Sequence, residues 1–285
     1  MTKEDMKRAL QPIARGLFGK QGTNRYQRPV FTPYPLETML ADLTAIPPLE
    51  WYPYVFSREP LNGKFSDEQR RKWMEKAWEC GEEYAEKIAA EFGTENPVLL
   101  ANAMKMKVEY PTLPEKTDRV LFAEFREPDN IRIYMDAVKK ADKLLADDRI
   151  REILTDKLNV SRLLLAHELF HYVEEKYKKE IYTQQEKIRL WSLGPVHNDS
   201  TIYALGEIAA MGFAAKLNDL PYAPWVLDVF LVYGYSENEA YGLYDEIMTF
   251  VGREPGSSGQ DAGESLEDKA AEIPEEPAAG PAEEK

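Results

Sequence analysis

Apolar positions recur every three or four residues over most of the chain, the spacing of amphipathic helices. The clearest helix follows Ser66-Asp67-Glu68-Gln69, which fits a capping box, and stops at Gly93, a residue that favours helix ends. Its predicted apolar face is formed by Trp73, Ala77, Cys80, Tyr84, Ile88 and Phe92. This pattern predicts one long helix that packs one side against the body of the protein.

The remaining patterns predict shorter helices and three short strands. Helices are predicted at about 36–45, 97–104, 136–146, 148–157, 160–179, 200–218, 223–233 and 236–250. Strands are predicted at 107–110, 119–125 and 131–135, and residues 126–130 form a hairpin loop between the last two. The expected fold class is therefore α+β, mostly helical, with one small β-sheet.

The two ends of the chain differ from the middle. Residues 1–62 form an extension rich in proline and aromatic residues, and those aromatic side chains either pack the arm onto the body or line a substrate groove. Residues 253–285 contain almost no large apolar side chains, so a disordered acidic C-terminal tail is expected there. An acidic interaction tail is the alternative for this segment.

Composition and charge narrow the possible partners. The 285 residues are 44% hydrophobic and carry a formal net charge of −14, of which the stretch from Pro255 onward supplies −7 through nine acids and two bases. An acidic chain argues against direct nucleic acid binding. The single cysteine, the absence of an apolar N-terminal stretch and the absence of a long apolar segment favour a cytoplasmic protein with no membrane association.

Two of the three histidines fall in one motif, His167-Glu168-Leu169-Phe170-His171. Residues four apart lie on the same face of a helix, so His167 and His171 can direct ring nitrogens at one zinc ion, at the Zn–N distance of about 2.0–2.1 Å. Glu168 is then placed to remove a proton from water that the metal has acidified. The motif predicts a zinc site with Glu168 as the general base.

A catalytic zinc needs a third protein ligand. Glu207 is the preferred candidate, because small residues around it let its helix approach the motif helix closely. Glu174 is on the face of His167 but about 4.5 Å beyond His171 along the axis, which indicates a solvated group or one that supports a ligand. An all-histidine site is not indicated, because the positions that it requires hold Glu174 and Tyr177.

The third histidine and a nearby tyrosine each have more than one possible role. His197, in a predicted loop before the helix of Glu207, is a metal ligand, a stabiliser of the developing oxyanion or a surface residue. Tyr203, one turn before Glu207, is either a hydrogen-bond donor to the oxyanion or a core tyrosine.

The sequence resembles the ImmA/IrrE family of metallopeptidases in three stretches. These are residues 96–110, the run from Leu163 to Tyr172 that contains the zinc motif, and the run from Glu207 to Leu217 followed by Leu220-Pro221. The resemblance covers roughly 66–250. The segments 136–158 and 174–199 are longer than the family pattern leads us to expect.

The resemblance implies a zincin-like peptidase domain at 63–252 and a gluzincin-like site with Glu207 as third ligand. It also implies a regulatory peptidase that cleaves or otherwise inactivates a protein such as a DNA-binding transcriptional repressor. The residues themselves predict only a zinc hydrolase, and the leading hypothesis is a zinc metallopeptidase that acts on a protein substrate. The alternative is a metal-containing regulatory protein that controls its partner without proteolysis.

Overall fold

The computed structural model describes residues 30–113, 121–193 and 196–257. Most of these residues are helical. The helices are α1 (Leu36–Thr44), α2 (Tyr52–Ser57), α3 (Asp67–Phe92), α4 (Pro97–Ala103), α5 (Met135–Leu144), α6 (Asp148–Leu154), α7 (Val160–Lys176), α8 (Tyr182–Gln185), α9 (Tyr203–Leu217), α10 (Val226–Tyr233) and α11 (Glu237–Val251), with 3-10 turns at Pro48–Trp51 and Asn62–Lys64. The predicted mostly helical α+β class is confirmed.

A three-stranded sheet lies against α7. Its strands are β1 (Lys107–Glu109), β2 (Ala123–Arg126) and β3 (Asn130–Ile133), in the spatial order β1-β3-β2. β1 is parallel to β3, and β2 is antiparallel to it, as the predicted hairpin requires. Because Ile131 and Ile133 on β3 are fully buried, the sheet rests one face on the helices. Residues 119 and 120 of the predicted second strand lie outside the described residues.

The prediction of a single sheet is wrong, because β4 (Lys187–Leu193) and β5 (Val196–Thr201) form a second, antiparallel pair. The predicted helix at 200–218 accordingly begins later, at Tyr203, since Ser200 and Thr201 pair with β4. The missed signal is the spacing of apolar residues in Lys187–Leu193 followed by the turn-forming dipeptide Gly194-Pro195. Most of this hairpin is exposed to solvent.

The core is built around α9, which packs on α3 and on α7. Small residues make this close packing possible. A Cβ atom added to Gly81 of α3 would lie 2.1 Å from the carbonyl oxygen of Ala209, and one added to Gly212 would lie 2.8 Å from the carbonyl oxygen of Trp78. The two backbones therefore touch at both positions, and α9 is held without intervening side chains.

The described part of the N-terminal segment belongs to the same core. Trp51 and Phe56 are fully buried, and their rings lie 5.9 Å from Trp225 and 6.3 Å from Trp73, respectively. α2, which was not predicted, carries a proline in its first turn, where the missing N–H costs nothing. These aromatic residues thus pack the segment onto the body.

A carboxylate of the N-terminal segment caps α9. Glu59 is only 5% exposed, and its carboxylate accepts the backbone N–H groups of Ala204 at 2.9 Å and of Leu61 at 3.0 Å. Ala204 lies in the first turn of α9, where backbone donors have no partner within the helix. A negative charge is favourable there. The start of α9 is therefore fixed by a residue that precedes α3.

The sequence signals for helix ends are confirmed. The Ser66 side chain accepts the Gln69 N–H, the Gln69 side chain accepts the Ser66 N–H, and Gly93 ends α3 in the left-handed conformation. At α4, the Asn96 side chain accepts the Val98 N–H. These local hydrogen bonds fix the helix ends to within a few residues of prediction.

At the other end, the described residues 253–257 contact the body. Arg253 pairs with Glu50 at 2.7 Å, and the backbone N–H of Gly256 donates to Asp42 at 2.7 Å. Residues 258–285 of the predicted disordered tail lie outside the described residues. Across the described ranges, none of the helices has both the length and the apolar character needed to span a bilayer.

We predict that Gly81→Ala destabilises the protein by at least about 1–3 kcal/mol, because the new methyl group would meet the Ala209 carbonyl. Urea unfolding measures this loss. Gly63→Ala is the matched control, since a Cβ there has no atom within 4 Å, and it should change stability by no more than about 0.5 kcal/mol. Equal stability of the two variants would contradict the proposed close packing of α3 and α9.

Candidate metal centre

The motif helix α7 brings its two histidines together. It begins after Asn159, whose side chain accepts the Arg162 N–H at 2.9 Å. One turn apart on this helix, the Nε2 atoms of His167 and His171 lie 3.3 Å from each other. Two ring nitrogens of the same kind therefore point at one spot, as the spacing in the sequence predicts.

Glu207 on α9 completes the group. Its Oε2 lies 3.5 Å from Nε2 of His167, and its Oε1 lies 3.7 Å from Nε2 of His171. Ligand atoms of the three residues all lie within 4.8 Å of one another, so the group could hold a metal ion. Two imidazoles and one carboxylate are also a chemically suitable donor set for a transition metal.

The electrostatics of the group favour a positive charge at this spot. Burial works to raise the pKa of Glu207, but His167 and His171, with the Tyr203 hydroxyl, lower it to about 2. Burial works to lower the pKa of His171, but Glu174, Glu207 and Glu168 raise it to about 9. The negative charges that favour a proton on His171 would equally favour a metal cation between the donors.

Glu168 lies beside the donors. It is only 8% exposed, which makes it one of the few buried charged residues in the described part of the chain. Burial raises its pKa, opposed by the nearby His167 and His171 and by a hydrogen bond from the Phe125 backbone on β2. The glutamate therefore faces both the donor group and the edge strand of the sheet.

Tyr203 is in the first turn of α9, one turn before Glu207. Its ring is largely exposed, while its hydroxyl is hydrogen-bonded to the Glu207 carboxylate. The negative charge of Glu207, together with burial of the hydroxyl, raises the pKa of Tyr203 far above its usual value. Of the two readings of the sequence, the structure thus supports a tyrosine at the site rather than one in the core.

Glu174 is largely buried next to His171 and is not a solvated group. Its side chain is 14% exposed, and its Oε2 lies 4.0 Å from Nδ1 of His171, the ring nitrogen that points away from the donor group. The Thr183 hydroxyl donates a hydrogen bond to Glu174 Oε1. Thr183 could not be predicted from the sequence, because no pattern indicated its helix α8.

His197 is not brought to the donor group. The structure places it on β5 of the exposed hairpin, not in a loop, and its Nε2 lies 3.3 Å from Oδ2 of Asp199. It does not line the cavity beside the donors. The structure therefore supports the surface interpretation of His197.

A cavity of about 420 Å³ lies beside the donor group. His167, Glu168 and Glu207 form part of its wall. The remaining wall is mainly apolar. It comes from four helices and from the residues just before β2, namely α2, α7, α9, α10 and Phe122, with Val55, Leu164, Met211 and Leu227 as examples from the helices. This size is ordinary for a ligand pocket.

Three charged residues of the cavity wall, Arg58, Glu59 and Asp228, were not predicted from the sequence. The Tyr54 hydroxyl donates to Asp228 at 2.7 Å, and Arg58 pairs with Glu246 at 3.1 Å. Burial raises the pKa of Asp228 to about 6, opposed by Tyr54 and Arg58. α2 thus contributes Tyr54 to the cavity wall as well as aromatic side chains to the core. The packing interpretation of the N-terminal aromatic residues is confirmed, and the substrate-groove interpretation stays a prediction.

Comparison of the chain with protein-family models, with curated proteins and with solved structures finds no match in any of the three. The resemblance to the ImmA/IrrE family therefore stays a prediction from its motifs.

We predict that Glu207→Ala weakens metal binding by more than the roughly 10–100-fold typical of residues that only support a ligand, because it removes a donor. His197→Ala should bind metal as the unchanged protein does, since His197 lies on the hairpin. Metal analysis of both purified variants, dialysed in parallel against zinc, measures the difference. Loss of metal from the His197 variant and not from the Glu207 variant would reverse the assignment.

Proposed function

We propose that this protein is a zinc-dependent endopeptidase with a zincin-like site, acting on another protein. The observation that carries the proposal is the arrangement of the donors: His167, His171 and Glu207 converge on one spot, with Glu168 beside them at the wall of a cavity. A metal site that only stabilises a fold is usually closed by four protein ligands. Here the group offers three ligands, which leaves one position for water or substrate.

Zinc is the metal that we propose for this donor set. Two histidines and one glutamate form a known class of catalytic zinc site, in which the three protein ligands leave one position open. The donors also come from two helices, α7 and α9, that are packed directly on each other. Their relative position is therefore set by the core of the protein.

A zinc ion held there would supply the charge that polarises a substrate carbonyl and acidifies a water molecule. With the metal bound, the Glu168 carboxylate would accept a proton from that water and would return it to the leaving amine. Burial raises the pKa of Glu168, which suits a group that must both take up and release a proton. The Tyr203 hydroxyl, whose pKa is raised, stays protonated at neutral pH and can donate a hydrogen bond to the developing oxyanion.

An extended polypeptide fits the surroundings of the site. β2 is an edge strand of the three-stranded sheet, and its residue Ala123 lines the cavity. An extended peptide can add to such an edge through backbone hydrogen bonds, while a pocket takes one of its side chains. Because the cavity wall is mainly apolar, we expect cleavage next to a large apolar residue of the substrate.

The regulatory role rests on the resemblance to the ImmA/IrrE family. It implies a transcriptional repressor, or a protein like one, as the substrate. The proposed setting is the cytoplasm. The protein itself is acidic, which opposes contacts with phosphates. The lysines at the end of α7 and just after it are interleaved with glutamates, as Glu174, Glu175, Lys176, Lys178, Lys179 and Glu180.

We predict that Glu168→Gln retains zinc but loses hydrolysis by roughly 10²–10⁴-fold, because the amide cannot take up a proton at neutral pH. Cleavage of casein and of co-expressed repressor-like proteins, with and without a chelator, measures the loss. Glu175→Gln, on the exposed side of the same helix, is the matched control and should retain activity.

Near-normal turnover by Glu168→Gln would contradict the peptidase mechanism. If the unchanged protein binds zinc and cleaves none of the substrates, the alternative of a metal-containing regulatory protein without proteolysis is favoured instead.

We also predict no sequence-specific DNA binding by the isolated protein. A net charge of −14 opposes the phosphate contacts on which DNA affinity depends. A mobility-shift assay at physiological salt tests this, with the candidate repressor as the positive control. Tight and specific binding by the isolated protein would mean that the DNA-recognising part of the system lies in this chain.

A further inference from the structure

The two ring nitrogens of His171 have different surroundings. Nε2 faces the donor group, 3.3 Å from Nε2 of His167 and 3.7 Å from Glu207. Nδ1 faces Glu174, at 4.0 Å from its Oε2. Glu174 therefore lies behind the ring rather than among the donors, and it approaches His171 from the side that a metal would not occupy.

Glu174 is itself held in place from a segment outside α7. The hydroxyl of Thr183, a fully buried residue of α8, donates to Glu174 Oε1. The Trp73 indole Nε1 on α3 donates to Glu186, the residue that follows α8, at 3.0 Å. The Gln185 amide at the end of α8 donates to the carbonyl of Lys178, in the turn that follows α7, at 2.7 Å. The residues between α7 and β4 thus hold the Glu174 carboxylate in place.

A glycine on α9, Gly206, lies against the Glu174 carboxylate and leaves room for it. A Cβ atom on Gly206 of α9 would lie 3.0 Å from Oε1 and 3.2 Å from Oε2 of Glu174. Both distances are tighter than ordinary van der Waals contact. An alanine at position 206 would therefore require the Glu174 carboxylate to move by a few tenths of an ångström. Alanine is otherwise preferred to glycine within a helix.

We propose that Glu174 is a positioning residue for His171. Its carboxylate, held by Thr183 and accommodated by Gly206, accepts a hydrogen bond from the Nδ1–H of His171, and this orients Nε2 towards the metal. The ion-pair distance of 4.0 Å would have to shorten by about 1 Å for a direct hydrogen bond. Carboxylates in this position fix the tautomer and orientation of a metal-bound histidine. The inference rests on the metal site of the proposed function but does not require peptidase activity.

The test is zinc affinity, measured by competition with a chelator. Glu174→Ala should weaken zinc binding by roughly 10–100-fold, and Thr183→Val and Gly206→Ala should weaken it in the same direction. Glu174→Gln, which keeps the size but not the charge, should be intermediate. Glu175→Ala, an exposed neighbour on α7, is the control and should bind zinc unchanged.

A double-variant cycle shows whether Gly206 acts through Glu174. Once Glu174→Ala has removed the carboxylate, the added methyl group of Gly206→Ala has nothing to displace, so it should weaken zinc binding no further. The absorption spectrum of the cobalt-substituted protein should shift in Glu174→Ala, because it reports ligand geometry at the metal. The unfolding temperature of each metal-free variant separates general destabilisation from this effect.

Normal zinc affinity in Glu174→Ala, or fully additive losses in the cycle, would overturn the inference even if the protein proves to be a peptidase. Conversely, unchanged protein that binds zinc and cleaves nothing would overturn the peptidase while the affinities still decide the role of Glu174. Absence of zinc binding by the unchanged protein would overturn both.

Discussion

The direct contact of the α3 and α9 backbones is the constraint on which the rest of the structure depends. At Gly81 and Gly212 the two helices touch without side chains between them. α9 also packs on α7, so its position determines where Glu207 lies relative to His167 and His171. The distances between the donor atoms lie between 3.3 and 3.7 Å, so a shift of α9 by about 1 Å would disrupt the group. Close packing of the core therefore fixes the geometry of the donor group.

Local signals predicted most of the fold. Ser66 with Gln69, Asn96 and Gly93 fix helix ends through hydrogen bonds and conformations set within a few residues, so their effects can be read from short stretches of sequence. β4 and β5 were missed because their pairing is hardly supported by burial: most of their side chains are exposed, and the pattern of apolar residues is weak. The N-terminal aromatic residues could be assigned to packing, but only the structure shows which of them also reach the cavity.

The same difference between local signals and contacts between distant segments explains which site residues could be predicted from the sequence. His167, Glu168 and His171 could be predicted because a helix fixes their relative positions. Glu207 could be suggested from the small residues around it, since they permit close approach of helices. Asp228 and Thr183 could not be predicted, because their place near the site depends on contacts between distant segments that no spacing along the chain encodes. His197 was a reasonable candidate by residue type alone, and its location on an exposed hairpin removes it from the group.

The Glu59 cap on α9 has a consequence for the order of folding. Glu59 and Ala204 are separated by 145 positions, and their hydrogen bond is buried. Bringing together segments so far apart carries a loop-closure cost and slows folding. The first turn of α9, which precedes Glu207, gains this support only after the N-terminal segment has docked. The segment that carries Glu207 therefore depends for part of its stability on a residue 145 positions earlier in the chain, and any change that detaches the N-terminal segment would also loosen the start of α9.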